Sequence, residues 1–309
     1  MRIAMMGSGG IGGYFGGRMA KAGADVTFVA RGRHLAAMRK DGLRIESRDM
    51  GNAVINPVKA TDNPATVGPV DYVIIGVKLW DTEDVGRSIL PMLGPDTAIL
   101  SLQNGVDCDD ILAPIVGRER IISGVAFIAS SIGEPGLIRH IGTMQRIVMG
   151  EADGTTSPRL SALQDMMAKA GITAEISNDI ERTLWEKFVF MVGLSSTTTL
   201  IHTTLGPIRE NPESREFLHN VFRETVAVGR AHGVDLPEHF ADTRLPFADG
   251  LPAEMTSSMH HDFEAGNKLE LPWLAGTVVR LGRDAGIETP VCQTLYATLL
   301  QYADGREAP

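Results

Sequence analysis

The sequence predicts an α/β fold in two parts: a parallel sheet with helices on both faces over residues 1–177, and a mostly α-helical region over residues 178–309. Three observations predict it. Short runs rich in Val and Ile alternate with helix-like stretches through the first half. A glycine-rich turn joins the first apolar run to the first helix. After about Ser177 the strand signals largely stop and a 3.6-residue period takes over.

In chain order, Ile3–Met6, Val26–Ala30, Tyr72–Gly76, Ala98–Leu102 and Ile121–Ala129 read as buried strands. Ile11–Lys21, His34–Lys40 and Thr82–Met92 read as helices between them. Leu43–Ser47 and Ala53–Ala60, with turn residues Asp49 to Asn52 between, read as a hairpin-type insertion. Ile138–His140 and Ile147–Met149, on either side of Gly142-Thr143, read as a further strand pair with a Gly-Thr turn. Leu160–Ala170 reads as a helix and Ile172–Ile176 as a closing strand. Helical periodicity then marks Asp179–Leu200, Glu213–His232 and Gly276–Gly286, with Asn178 and Asp179 as cap-type residues at the first of these.

Composition narrows the function. A chain of 309 residues is long enough for two domains, and 43% hydrophobic with 22% charged residues is the composition of a globular protein. The net charge of −9 argues against nucleic acid or an anionic membrane as the main partner. Cys108 and Cys292 lie far apart with no companion cluster, which argues against structural zinc and suits a reducing cytoplasm. Asp107, Asp109 and Asp110 around Cys108 disfavour a thiolate, so it is not a candidate nucleophile. His260-His261-Asp262 points its histidines to different sides of a helix and is read as a hydrogen-bonded or solvated pair, with no metal site. With no signal peptide and no apolar run of spanning length, the expectation is a soluble cytoplasmic protein.

The first apolar run leads into Gly7-Ser8-Gly9-Gly10-Ile11-Gly12, a G-x-G-x-x-G between a strand and a helix. Gly7 permits the tight turn, Gly9 lets a pyrophosphate approach the backbone, and Gly12 lets helix and strand pack closely. Phosphates then sit on the N–H groups of the helix beginning near Gly10. The second strand ends in Ala30-Arg31-Gly32-Arg33-His34 instead of the acidic residue that would hold an NAD ribose. A guanidinium binds a 2′-phosphate bidentately, so NADPH is favoured over NADH; the plainer alternative is a pair of solvated arginines. The first part is therefore expected to be a Rossmann-type dinucleotide-binding domain.

These motifs extend into a longer series: Gly76-Val77-Lys78 and Leu102-Gln103-Asn104-Gly105 after successive strands, then Leu184-Trp185-Glu186-Lys187, Thr256-Ser257-Ser258-Met259, Asp262-Phe263-Glu264-Ala265-Gly266, Glu270, and Gly286-Ile287-Glu288-Thr289-Pro290. In that order, over nearly the whole chain, they resemble the ketopantoate reductase (2-dehydropantoate 2-reductase) family. The resemblance implies NADPH-dependent reduction of a 2-oxo acid to a 2-hydroxy acid. It implies a cofactor held by Gly7, Ser8, Gly9, Gly10, Ile11 and Gly12, by Arg31 at the 2′-phosphate, by Lys78 along its edge and by Asn104 on the nicotinamide side. It also implies Lys187 and Glu270 as catalytic residues, with Asn104, Met191, Ser195 and Ser258 at the substrate.

The residue types suit that chemistry. An ammonium can polarise a carbonyl and then protonate the alkoxide. Lys187 stands among Phe188, Val189, Phe190, Met191, Val192 and Leu194, where lost solvation lowers its pKa; the competing reading is a lysine whose stem merely covers the helix surface. Thr183, Lys187, Met191 and Ser195 share one helical face by i, i+4 spacing. Glu270 is read as holding a substrate hydroxyl or orienting Lys187, and without the resemblance as an exposed loop acid.

The chain also departs from the family. Met191 and Ser195 stand where ketopantoate reducers usually carry asparagines four and eight positions after the lysine, and Met255 stands where an asparagine commonly precedes Thr-Ser-Ser-Met. Leu271-Pro272-Trp273 replaces the usual Ile-Asp-Tyr. Lost amide donors weaken discrimination for a hydroxylated substrate. Two readings of the substrate therefore stand, ketopantoate itself and a more apolar 2-oxo acid or related carbonyl compound. A reading of another class, a non-catalytic NADP(H) sensor, would need neither Lys187 nor Glu270. The partner expected is a small molecule, and a homodimer is compatible with the helical second half.

Overall fold

The computed structural model describes residues 1–305. Its chain forms two compact units that divide between Thr183 and Leu184. The division expected near 177 falls between the last strand and the next helix, and the compact units separate about one turn into that helix.

The first unit contains β1 (Arg2–Met6), α1 (Gly10–Lys21), β2 (Asp25–Val29), α2 (Gly32–Asp41), β3 (Leu43–Ser47), β4 (Ala53–Ile55), β5 (Lys59–Thr61), β6 (Val70–Ile75) and α3 (Thr82–Ser88). It continues with β7 (Leu93–Ser101), α4 (Cys108–Val116), β8 (Ile121–Glu134), β9 (Leu137–Gly150), α5 (Pro158–Lys169) and β10 (Thr173–Ile176). Six strands pair in parallel in the order β5-β2-β1-β6-β7-β8, so the chain reverses direction of travel across the sheet between β1 and β6. Alternation places the two faces. Ile3 and Met5 of β1 pack with Phe15, Met19 and Phe28 on one side. Ala4 and Met6 pack with Val85, Ile89 and Leu112 on the other. Strands covered on both faces need apolar residues at every position, which is why these runs lack polar alternation.

The rest of the sheet departs from the sequence reading. β8 and β9 form one long antiparallel hairpin that turns at Pro135-Gly136, and Gly142-Thr143 lies inside β9. Residues 141–144 stand opposite Ala129 alone, so the Gly-Thr signal marks a bulge, and Ile138–His140 and Ile147–Met149 pair with β8 instead of with each other. Leu43–Ser47 does pair antiparallel with the following strand. Ala53–Ala60, however, is two strands: Pro57 has no N–H for a ladder, and the chain crosses to the opposite edge, where β5 pairs with β2. Pro91 likewise ends the expected Thr82–Met92 helix at Ser88, leaving Leu90–Met92 as a single 3₁₀ turn. β3 and β10 join β9 in parallel, and both outer strands on the main path, β4 and β5, are three residues long.

A half-buried ion pair closes this unit near the start of α5. Arg159 donates to both oxygens of Glu151, at 2.7 and 2.6 Å, and to Glu119 O at 2.7 Å, while Ser157 Oγ donates to Glu151 at 2.5 Å. Burial raises the Glu151 carboxyl, but the Arg159 and Ser157 hydrogen bonds outweigh it and hold the group below its usual range. A depressed carboxylate stabilises the fold above its unfolded pKa, and that contribution is lost as pH falls through the folded value. Glu151→Gln is expected to cost about 1–3 kcal/mol at neutral pH. The gap to the parent chain should narrow on acidification, as read by denaturant melts at pH 7 and pH 4.

The second unit takes up α6 (Ile180–Ile201), of which the first turn belongs to the first unit, and holds α7 (Leu205–Glu210), α8 (Pro212–Ala231), α9 (Phe240–Asp249), α10 (Ser258–Glu264), α11 (Ala275–Ala285) and α12 (Pro290–Leu299). Asp179 caps α6 by accepting the Arg182 N–H at 3.0 Å. Gly193 lets the Phe222 ring of α8 lie against α6, since a Cβ there would collide with it. Glu224 of α8 accepts the Val291 and Cys292 amides at 2.8 and 2.7 Å, placing a carboxylate on the α12 N-terminus. Among the described residues no helix is long and apolar enough to cross a membrane.

Candidate active site

In the first unit the expected residues gather at the C-terminal ends of four adjacent strands. Arg31, the glycine turn, Lys78 and Asn104 follow β2, β1, β6 and β7, which neighbour one another in that order. In an open parallel sheet the ligand crevice lies at these ends, where the strand order reverses.

The glycine turn separates what the fold requires from what it leaves open. Gly7 has φ 89°, and a Cβ there would lie 2.7 Å from Val77 Cγ1. Its N–H donates to Val29 O at 3.2 Å, and Ser8 Oγ donates to the same carbonyl at 3.1 Å. A Cβ on Gly12 would run into the Gly7 carbonyl, and one on Gly10 into the Ser130 carbonyl of β8. At Gly9, by contrast, a Cβ would meet no protein atom within 4 Å. The fold thus has its own reasons for glycine at 7, 10 and 12 and none at 9. The open space at Gly9 adjoins the first turn of α1, which has no acidic residue and no side-chain cap. Uncapped amides beside open space fit a pyrophosphate.

Arg31 precedes α2 and is exposed, as is Arg33; the side chain of neither makes a hydrogen bond or ion pair among the described residues, although the Arg31 carbonyl accepts the Leu35 N–H at 3.3 Å. His34, given no role by sequence, connects two segments here. Its Nδ1 accepts the Gly136 N–H at 3.1 Å, joining α2 to the β8–β9 turn. Burial lowers its pKa, opposed by the Ser8 backbone. Only its place directly after Arg31-Gly32-Arg33 could have drawn attention to it. The Lys78 ammonium lies 5.7 Å from the Trp80 ring centroid. Asn104 is half-buried, and its carbonyl accepts from Cys108 Sγ at 3.4 Å.

In the second unit Lys187 and Met191 are half-buried on α6, and Ser195 is buried one turn further on. Thr183, expected on the same face, donates its hydroxyl to Asp179 O at 3.1 Å. Phe188, Val189 and Val192 are buried around the lysine. Burial pushes Lys187 down to about 8, and the charge of Glu270 acts in the opposite direction. Glu270 is itself only 5% exposed, so it is not the exposed loop acid of the alternative reading. It stands just before the Leu271–Trp273 turn that leads into α11. Ser258 opens α10 and is exposed, next to Ser257, whose hydroxyl caps the helix through the His260 N–H at 3.1 Å. His260 Nδ1 donates to Thr198 O of α6 at 3.0 Å, and His261 Nε2 pairs with Thr256 Oγ1 at 3.1 Å.

An ammonium whose pKa lies near neutrality, with a buried carboxylate acting on it, can donate a proton to a carbonyl oxygen. Comparison with known proteins assigns the class. Residues 3–154 match the family model described as ketopantoate reductase PanE/ApbA, and residues 179–303 match its C-terminal model. A 2-dehydropantoate 2-reductase of Mesorhizobium japonicum is 31% identical over 98% of this chain and 98% of its own. The crystal structure of 2-dehydropantoate 2-reductase from Geobacter metallireducens superposes with a TM-score of 0.90 at 32% identity, covering 97% of this chain and 99% of that one. The structure of D-mandelate dehydrogenase with NADH and anilino(oxo)acetate shares the fold at a TM-score of 0.88 and 19% identity, over 98% of both chains. Both parts of the chain thus match one family, end to end and in order: it belongs to the ketopantoate reductases and is an oxidoreductase acting on CH–OH groups.

Proposed function

We propose that the protein reduces a 2-oxo acid to the 2-hydroxy acid with NADPH, Lys187 being the proton donor. The observation that carries this reading is Lys187 itself, an ammonium brought to about 8 by burial and acted on by the charge of Glu270. The dinucleotide supplies the hydride when bound. The residues that would hold it are the α1 amides and Gly9 at the pyrophosphate, Arg31 at the 2′-phosphate, and Lys78 and Asn104 along the nicotinamide half. Lys187 Nζ polarises the substrate carbonyl and gives its proton to the oxygen as the carbon is reduced. Glu270 helps to keep the lysine protonated at neutral pH and accepts a hydrogen bond from a substrate hydroxyl. Ser258 binds the substrate from the α10 side.

A second reading of the substrate rests on Met191 and Met255. Both are half-buried, and each offers a thioether where the family's ketopantoate reducers usually present an amide. Without those donors a hydroxylated acid has less to gain, and a bulkier apolar acid meets less polar surface left unpaired. The deciding measurement is NADPH oxidation with ketopantoate beside branched and aromatic 2-oxo acids. The expected result is a kcat/KM for an apolar acid above that for ketopantoate, with Met191→Asn and Met255→Asn each moving the ratio toward ketopantoate by about tenfold. A wide preference for ketopantoate in the parent chain would return the assignment to the family's own reaction. NADPH binding with no turnover on any acid would defeat both readings and favour a sensor.

A further inference from the structure

Gln103 lies in the loop after β7, is 4% exposed, and takes part in no step of the reaction as proposed. Its side chain joins three segments. Nε2 donates to Thr82 Oγ1 at 2.8 Å and to Lys78 O at 3.4 Å, and Oε1 accepts from Ser101 Oγ at 3.2 Å. Thr82, 1% exposed, gives its own hydroxyl proton to Leu79 O at 2.7 Å, which leaves its oxygen to accept from an amide. These partners fix the orientation of the Gln103 amide, nitrogen toward Thr82 and Lys78, oxygen toward Ser101.

The position of this network matters. The β6–β7 ladder ends at Ile75 and Ser101, with one more bond from Leu102 N to Ile75 O at 2.9 Å. Beyond it the main chains separate, one toward Lys78 and the other toward Asn104. Gln103 continues the connection across the gap, and Gly105 lies against Leu79 just after it, where a Cβ would stand 3.6 Å away. A buried network whose donors and acceptors are satisfied holds its members in one arrangement.

We propose that Gln103 is a positioning residue, fixing the Lys78 turn against the Asn104 loop and thereby the binding of dinucleotide and substrate. This rests on the roles read above for Lys78 and Asn104. Leucine at 103 would take the amide from Thr82 and the cross-loop donor from the Lys78 carbonyl, which would keep the Asp81 N–H of its own turn at 3.0 Å, so the link between the two loops would be weakened. Ångström-scale misplacement of binding groups is enough to cost up to about 100-fold in rate.

The test measures NADPH dissociation constants by fluorescence titration, kcat/KM for the best 2-oxo acid of the panel, and Tm, all on the full chain. Gln103→Leu and Thr82→Val are each expected to weaken NADPH binding and kcat/KM by about 10- to 100-fold. Thr82→Ser, which keeps the accepting hydroxyl, should restore both, and the double variant should be no worse than the worse single one. The proposal is overturned if Gln103→Leu and Thr82→Val lower Tm alone while Lys78→Ala and Asn104→Ala impair binding or turnover. If those two alanine variants leave binding and turnover unchanged, the reading of the loops fails first and takes this proposal with it.

Discussion

Lys187→Ala is expected to lower kcat by about 10³-fold, within the range that a positioned proton donor supplies. Cofactor affinity should stay within about twofold, because in the proposed reaction the lysine acts on the substrate oxygen and not on the dinucleotide phosphates. The pH dependence gives an independent check. In the proposed reaction the active form is the ammonium, and burial brings that group to about 8. The rate of reduction should therefore be level below that value and fall as pH rises through it. Glu270 acts to raise the lysine value, so Glu270→Gln should move the falling limb toward lower pH. Stopped-flow NADPH oxidation from pH 6 to pH 10 would show both effects. Retained turnover in Lys187→Ala, with a flat profile in the parent chain, would remove the lysine from the chemistry.

Arg31→Ala is expected to weaken NADPH binding by about 10- to 100-fold, the equivalent of losing charge-assisted hydrogen bonds to a phosphate. NADH binding should change little, since NADH has no 2′-phosphate. Thermal stability should also stay close to that of the parent, because the Arg31 side chain is exposed and makes no described hydrogen bond or ion pair. Titration of both dinucleotides against both proteins separates the outcomes. Equal losses for NADPH and NADH would mean that Arg31 holds a group common to both. No loss for either would make Arg31 and Arg33 the solvated pair of the alternative reading and reopen the choice of cofactor.

What the sequence made legible was mostly local. The glycine turn could be placed because its meaning depends on a strand before it and a helix after it, both coded by neighbouring residues. The parallel strands could be placed because burial on both faces imposes continuous apolar runs such as Tyr72–Gly76. Pairing over long distances was harder. Ala53–Ala60 has the composition of one strand, and only the partners of its two ends, β3 and β2, show that Pro57 divides it between opposite sheet edges. Gly142-Thr143 carries turn chemistry, and a bulge uses that chemistry as readily as a hairpin does. At the candidate site, residue types and helical spacing brought Lys187, Met191 and Ser195 onto one face. The role proposed for Glu270 rests on family resemblance, since nothing local in the sequence marks a glutamate as buried. Gln103 stood in a quoted motif without a role because its partners Lys78 and Thr82 come from a different strand–helix connection.

The sheet has ten strands, yet its outer members on the main path, β4 and β5, have three residues each. Pro57 lies between them in the chain, and Lys59, at the start of β5, is paired with Asp25 at 2.6 Å. An exposed strand is a row of unused donors and acceptors on which another chain can extend the sheet, and its grip grows with its length. Borders this short, one of them beginning on a charged residue, give an incoming strand few bonds to make. A fold with so much β-structure is thereby protected at its margins from strand-by-strand polymerisation, and self-association through the sheet borders would be short of footing.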